Sequence, residues 1–154
     1  MYTKRRPPIS CSSKETIEKT EARILKKLPR INKSSRPIIP LGKIYKWLLN
    51  SSVPPAKNKS KIFEKDYEVR TDDVNFEDDE EFRMSGQHLS RQLRKGLRNA
   101  QATFHSSDSW GLRISAKYPI KTPRGRILEL SAWIYKITDG VMQTRPSLTT
   151  VVKA

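Results

Sequence analysis

The chain has one cysteine, Cys11, and two histidines, His88 and His105, in 154 residues. A lone thiol excludes an internal disulfide, and without a Cys/His cluster there is no ligand set for structural zinc. Long apolar runs are missing as well. Trp47-Leu48-Leu49 is typical of what is present, far short of the ~20 residues a bilayer-spanning helix needs. No apolar stretch follows Met1, so no secretory signal is expected. The first block has the basic, Ser-rich composition of an organelle transit peptide, against which Glu15, Glu18 and Glu21 count. Glycine is scarce, and Gly125 and Gly140 belong to turn sequences, leaving no Gly-rich phosphate loop. Only 35% of residues are hydrophobic, against about 45–50% in ordinary domains. That composition suits one modest core with a disordered arm.

Acidic residues are the other shortage: 16 against 31 Lys/Arg, a net charge of +15. They are also confined. Residues 1–61 carry 16 Lys/Arg and 3 acids, residues 62–82 carry 2 and 10, and residues 83–154 carry 13 and 3. A strongly basic protein attracts polyanions, meaning nucleic acid or an anionic membrane face. An acidic belt between two basic blocks adds attraction between like molecules, or between the two ends of one molecule.

Residues 1–61 read as a basic, mostly disordered N-terminal arm with short helices. Pro7-Pro8 blocks a helix near the start. Ser12 with Glu15 is a capping-box pattern, and Ile17, Ile24, Leu25 and Leu28 share one helical face before Pro29. Gly42 to Leu49 predicts a two-turn helix, a docking segment or the edge of the core. Residues 62–154 read as a compact α+β domain. Ile62 to Thr71 predicts a strand with Tyr67 and Val69 on one face, and residues 72–81 a solvated acidic loop. The clearest helix spans roughly 86–104, with Leu89, Leu93, Leu97, Ala100 and Phe104 as its apolar stripe. Gly96 inside it costs about 1 kcal/mol relative to Ala, so this helix needs tertiary packing.

The last third alternates. Trp110, Leu112, Ile114, Ala116, Tyr118 and Ile120 are apolar, and the residues between them are polar, Gly or Pro, as in a half-buried strand. Thr122-Pro123-Arg124-Gly125 is a turn sequence. Arg126 to Thr138 is apolar on both faces and predicts a central or helix-covered strand, with Leu128, Leu130, Ala132 and Ile134 on one face and Ile127, Trp133, Tyr135 and Ile137 on the other. Asp139-Gly140 signals a hairpin, and Leu148 to Val152 a further strand. The expected fold class is α+β, a small antiparallel sheet packed with one or two helices and preceded by a long basic disordered arm.

The candidate polyanion-binding residues are Lys4, Arg5 and Arg6 of the arm, Arg23, Lys26 and Lys27 of its helix, Arg91, Arg94, Lys95 and Arg98 on the main helix, and Arg113 and Lys117 on the first strand. Lys and Arg contact phosphates of RNA or of lipid headgroups alike, and a plain solvated helix face is the competing reading. Trp133 and Tyr135 offer rings for base stacking, with burial as core the stronger expectation. Asp72, Asp73, Glu77, Asp78, Asp79, Glu80 and Glu81 form the candidate self-association belt. Neither histidine has a Cys/His partner or a Ser nucleophile at fixed spacing, so no catalysis and no cofactor are expected. Lys4-Arg5-Arg6 also has the form of a short nuclear localisation cluster.

One segment carries a family resemblance. Trp110-Gly111-Leu112-Arg113-Ile114-Ser115-Ala116-Lys117, then Gly125-Arg126-Ile127 and a strand ending near Tyr135, resembles the C-terminal sheet of rhabdovirus matrix proteins. The resemblance covers residues 110–135. Pro7-Pro8-Ile9-Ser10 and Pro54-Pro55-Ala56-Lys57 depart from the Pro-rich budding motifs of the animal-virus members, and the chain is shorter than theirs. What the resemblance implies is a structural protein of the virion that condenses a nucleocapsid, lines the inner face of a membrane and self-associates. Its partners would be viral nucleocapsid or RNA, an anionic membrane surface and further copies of itself. Its location would be the virion and the host cytoplasm or inner membrane face. The alternative is a basic RNA-binding protein, a ribosomal component or a viral accessory factor.

Overall fold

In the computed structural model, residues 11–28, 36–52 and 59–153 are described. Its elements are helix α1 (Cys11–Lys27), a π-helix (Lys43–Leu48), a 3-10 turn (Phe76–Asp78), helix α2 (Glu80–Asn99) and five strands. These are β1 (Gln101–Asp108), β2 (Gly111–Lys121), β3 (Ile127–Thr138), β4 (Val141–Met142) and β5 (Ser147–Lys153). The sheet is antiparallel, with hairpins in the order β1-β2-β3-β4 and β5 paired to β3. An α+β domain with an antiparallel sheet packed against helices is therefore the architecture.

The alternation in β2 does what it predicts. Leu112, Ile114, Ala116, Tyr118 and Ile120 are buried, while Lys117 and Pro119 are exposed. β3 is central, as its two apolar faces require. Its register explains them: Ile114 faces Trp133 and Tyr118 faces Leu130, so β2 spends one more residue than β3 over the same stretch. Such a bulge reverses the parity of one strand against the other. Leu128 and Trp133, which strict alternation places on opposite faces, are both core residues. Asp139 and Gly140 hold positive φ, 52° and 75°, the two left-handed positions a tight hairpin turn needs.

α2 lays Phe82, Gly86, Leu89, Leu93, Gly96 and Leu97 against the core. It differs from the expected helix at both ends. Asp79 caps its start, with Oδ1 accepting from the Phe82 amide at 3.1 Å. Glu80 and Glu81 fill its first turn, where the helix dipole favours negative charge. The last three residues of what reads as an acidic loop, Asp79, Glu80 and Glu81, are thus a helix start. At the other end the chain passes directly into β1. Phe104, expected on the helical stripe, is an exposed strand residue paired with Ile114.

Two further expectations fail. Residues 62–71 form turns, with the Tyr67 amide bonded to the Phe63 carbonyl at 2.9 Å. Phe63 and Tyr67 are both buried, and their spacing of four suits one turn of helix-like backbone, not a pleat. The segment 36–52, which charge groups with the arm, enters the core through Ile39, Ile44, Tyr45, Leu48 and Leu49, so the arm boundary fails while the core reading of Gly42 to Leu49 is the one the structure gives. The Leu49 amide reaches the Ile44 carbonyl at 2.9 Å, the long bond of a π-turn. Ile38 bridges to Ser147 beside β5, and Asn50 to Arg70. The compact domain accordingly begins before residue 62.

α1 is a helix over the predicted stretch, already running at Ser12. Ile17, Ile24, Leu25 and Leu28 pack against the core cluster. The helix rests on β4, and Glu21 accepts a hydrogen bond from Ser107 Oγ at 3.0 Å. From residue 11 to residue 28 the basic segment lies on the domain.

Candidate polyanion-binding site

α2 carries four cations at helical spacing on the side away from its leucines. Leu89, Leu93 and Leu97 are fully buried, and Arg91, Arg94, Lys95 and Arg98 are exposed. Residues three and four apart are neighbours on a helix surface, so these four form one stripe. With Asn99 they line a shallow cavity of about 500 Å³. Among the described residues none of the four enters an ion pair. Arg94 donates to Ser90 Oγ at 3.1 Å, and Asn99 donates to the Lys95 carbonyl at 3.0 Å. The stripe is open to an anion and rests on a helix that packing holds in place.

Arg113 and Lys117 do not extend this stripe. α2 covers the face of β2 that carries Tyr118, whose ring lies against Gly96. Arg113 and Lys117 alternate with the buried residues and so stand on the opposite face of the sheet. Arg113 is also engaged, its guanidinium paired with Asp108. Arg23, Lys26 and Lys27 are exposed on α1. Lys4, Arg5 and Arg6 lie outside the described residues.

The acidic belt is divided as well. Asp72, Asp73, Glu77, Asp78, Glu80 and Glu81 are exposed, but Asp79 is half-buried. Arg70 Nε meets Asp79 Oδ2 at 2.6 Å, and the same guanidinium pairs with Glu68 at 3.0 Å and lies over the Phe82 ring. The Arg70 bond, with the Phe82 amide, holds the Asp79 carboxyl below its usual range. Asp79 therefore has a structural role, capping α2 and holding Arg70. The belt is anchored at its start too, where Asn50 donates to the Asp72 carbonyl at 2.8 Å.

One titratable group that sequence reading passed over, Asp66, is structural. Asp66 is buried and accepts from Thr122 Oγ1 at 2.8 Å and from Arg126 Nε at 2.9 Å. The Arg126 bond, against the cost of burial, lowers its pKa. This carboxylate ties the turn after β2 to the turns at 59–67. His88 Nδ1 lies 2.9 Å from Tyr67 Oη, and burial, with the Arg91 charge, pushes its pKa down. His105 is exposed beside Ser106. Among the described residues no group of three His, Cys, Asp or Glu side chains is placed to hold a metal ion.

The aromatic candidates exchange places. Trp133 is fully buried, with Nε1 donating to Tyr118 Oη at 3.2 Å, and Tyr135 is buried with its pKa pushed up to about 12. Neither ring is open to a base. Among the described residues the most exposed ring is Trp110, expected as a strand residue on the apolar face but 72% exposed at the β1–β2 turn, with Phe104 and Trp47 exposed as well. Asp108 Oδ1 accepts from its amide at 2.8 Å. Asp108-Ser109-Trp110-Gly111, an Asp followed by Ser with a Gly three residues on, fits an Asx turn, and that was the signal in the sequence.

Comparison with known proteins supplies no relative: no family model, no curated protein and no solved structure matches this chain. No described helix is long and apolar enough to cross a membrane.

Proposed function

We propose that this protein is a non-enzymatic structural protein of the viral matrix type, which binds a polyanion, self-associates and links nucleocapsid to the inner face of a membrane. The observation that carries the reading is the cationic stripe Arg91, Arg94, Lys95 and Arg98, exposed and outside any ion pair among the described residues. A solvated helix face ordinarily mixes its charges; four cations lining one cavity give phosphates a defined place to sit. The exposed acids Asp72, Asp73, Glu77 and Asp78, with Glu80 and Glu81, stand at the opposite end of the same helix. One copy thus offers both signs of charge to another. A basic arm before the described residues adds Lys4, Arg5 and Arg6 to the attraction. Virion, host cytoplasm and inner membrane face are the places such a protein works, with the nucleus open to the short basic cluster.

The second reading, a basic RNA-binding protein without a membrane role, is favoured by the same stripe taken alone. Parallel cosedimentation of the full chain with RNA and with anionic vesicles tests both. Binding to both, with oligomers that dissolve as salt rises, supports the matrix reading. Binding to RNA alone by a protein that stays monomeric at low salt replaces it with the second.

A further inference from the structure

The end of the sheet away from the cationic stripe has an apolar tip. The Ile137 amide donates to the Trp110 carbonyl at 3.0 Å, which sets the β1–β2 turn beside the β3–β4 turn. Each turn presents one large apolar side chain to solvent, Trp110 at 72% and Val141 at 52% exposure. The Trp110 turn is braced from beneath. Asp108 accepts from the Trp110 amide and pairs with Arg113, so the indole is held out by a fixed backbone.

The elements next to the pair carry cations. α1 packs on β4, the strand of Val141, and its Glu21 is bonded to Ser107 next to the Trp110 turn. That docking brings α1, which carries the exposed Lys19, Arg23, Lys26 and Lys27, to the same end of the sheet, and Lys136 faces Gly111 in the register. Against these five stand Glu18, Glu21 and Asp139. An indole belongs at a membrane–water interface, apolar in its body and polar at its N–H. Valine strengthens burial in lipid and gives a nucleobase nothing to stack on. Basic side chains beside an apolar tip match an anionic headgroup layer.

We infer that Trp110 and Val141, flanked by the cations of α1, form the docking surface for an anionic lipid bilayer, with the indole seated among the headgroups. The inference rests on the matrix reading and gives its membrane contact an address. Tyr118 marks the α2 end of β2, and at about 3.3 Å per residue it lies roughly 20 Å of strand from Gly111. The lipid-facing tip and the cationic stripe thus occupy opposite ends of one sheet, which lets a single copy hold both ligands.

The test uses the full chain with vesicles of phosphatidylcholine and phosphatidylserine, following tryptophan emission and its quenching by doxyl-labelled lipid. Binding should shift wild-type emission to the blue and expose it to quenching. The Trp110→Phe variant, which keeps Trp47 and Trp133, should lose both signals. Trp110→Ala and Val141→Asp should each weaken vesicle binding about tenfold, the equivalent of losing part of one buried apolar side chain, and leave RNA binding and the circular dichroism spectrum unchanged. Vesicle binding by wild type with no emission change, and equal binding by both variants, overturns the tip assignment alone. No vesicle binding by wild type removes the membrane part of the matrix reading and the tip with it. Loss of RNA binding in Trp110→Ala makes the indole a base-stacking group and also overturns the inference.

Discussion

Gly96 lies flat against the ring of Tyr118: a Cβ there would stand 2.2 Å from Tyr118 Cδ2 and 2.8 Å from two more ring carbons. The glycine is what lets α2 sit close on β2. The ring is not free to swing, because its hydroxyl accepts from the buried Trp133 indole at 3.2 Å. Gly96→Ala would gain about 1 kcal/mol of helix propensity. Overpacking a tight contact costs about 1–3 kcal/mol, and the second term should win. A lower denaturant midpoint for Gly96→Ala checks this, and an unchanged or higher one shows the ring giving way.

The stripe on α2 makes a quantitative prediction about salt. Each phosphate contact to a single strand contributes about 0.7 to the slope of log affinity against log salt, so removing four should flatten it by about 3. Replacing Arg91, Arg94, Lys95 and Arg98 by Gln should do this for RNA. The four side chains are exposed and hold no ion pair among the described residues, so the thermal midpoint should hardly move. A slope that stays the same removes α2 from the RNA site.

Much of the fold was legible where one physical rule acted alone. The alternation of β2, the Asp139-Gly140 turn and the Leu89-Leu93-Leu97 stripe each follow from a single local rule and appear in the structure as read. Reading failed where two rules competed. Asp79, Glu80 and Glu81 have loop-like charge, but an Asp cap and acids in a first turn also begin a helix. Tyr67 and Val69 alternate, but Phe63 and Tyr67 at spacing four decided the backbone. Trp133 and Leu128 share the core through an irregularity that only the pairing of β3 with its neighbours reveals. At the site, the helix cations were legible as a stripe. Their separation from Arg113 and Lys117 depends on which face of the sheet α2 covers, a tertiary fact.

Acid should destabilise the protein in two steps. His88 is neutral in the fold with a pKa below 6.5, because burial and Arg91 oppose its charge. A lowered folded pKa means stability that is full above the unfolded value and lost as pH falls through the folded one. The first loss therefore begins below about pH 6.5. Asp66 and Asp79, both held below 3.8 by their arginine partners, give the second, which begins near pH 4 and deepens downward. Denaturant midpoints measured from pH 8 to pH 3 should show both, with His88→Gln losing the first step and Asp66→Asn reducing the second. A flat profile between pH 7 and pH 5 in the wild type contradicts the assigned environment of His88.

Self-association offers a complementary pair of variants. If the acids at the start of α2 meet the cations along it in a second copy, attraction should fall with ionic strength as exposed charges are screened over about 8–10 Å. Glu77→Lys with Asp78→Lys should abolish the oligomer, as should Arg91→Glu with Arg94→Glu. All four positions are exposed, so neither variant should unfold. Mixed together, the two variants restore opposite charge across one interface, and sedimentation velocity should recover a species that neither forms alone. Failure of the mixture to associate, with wild type still oligomeric, would place the interface elsewhere on the sheet.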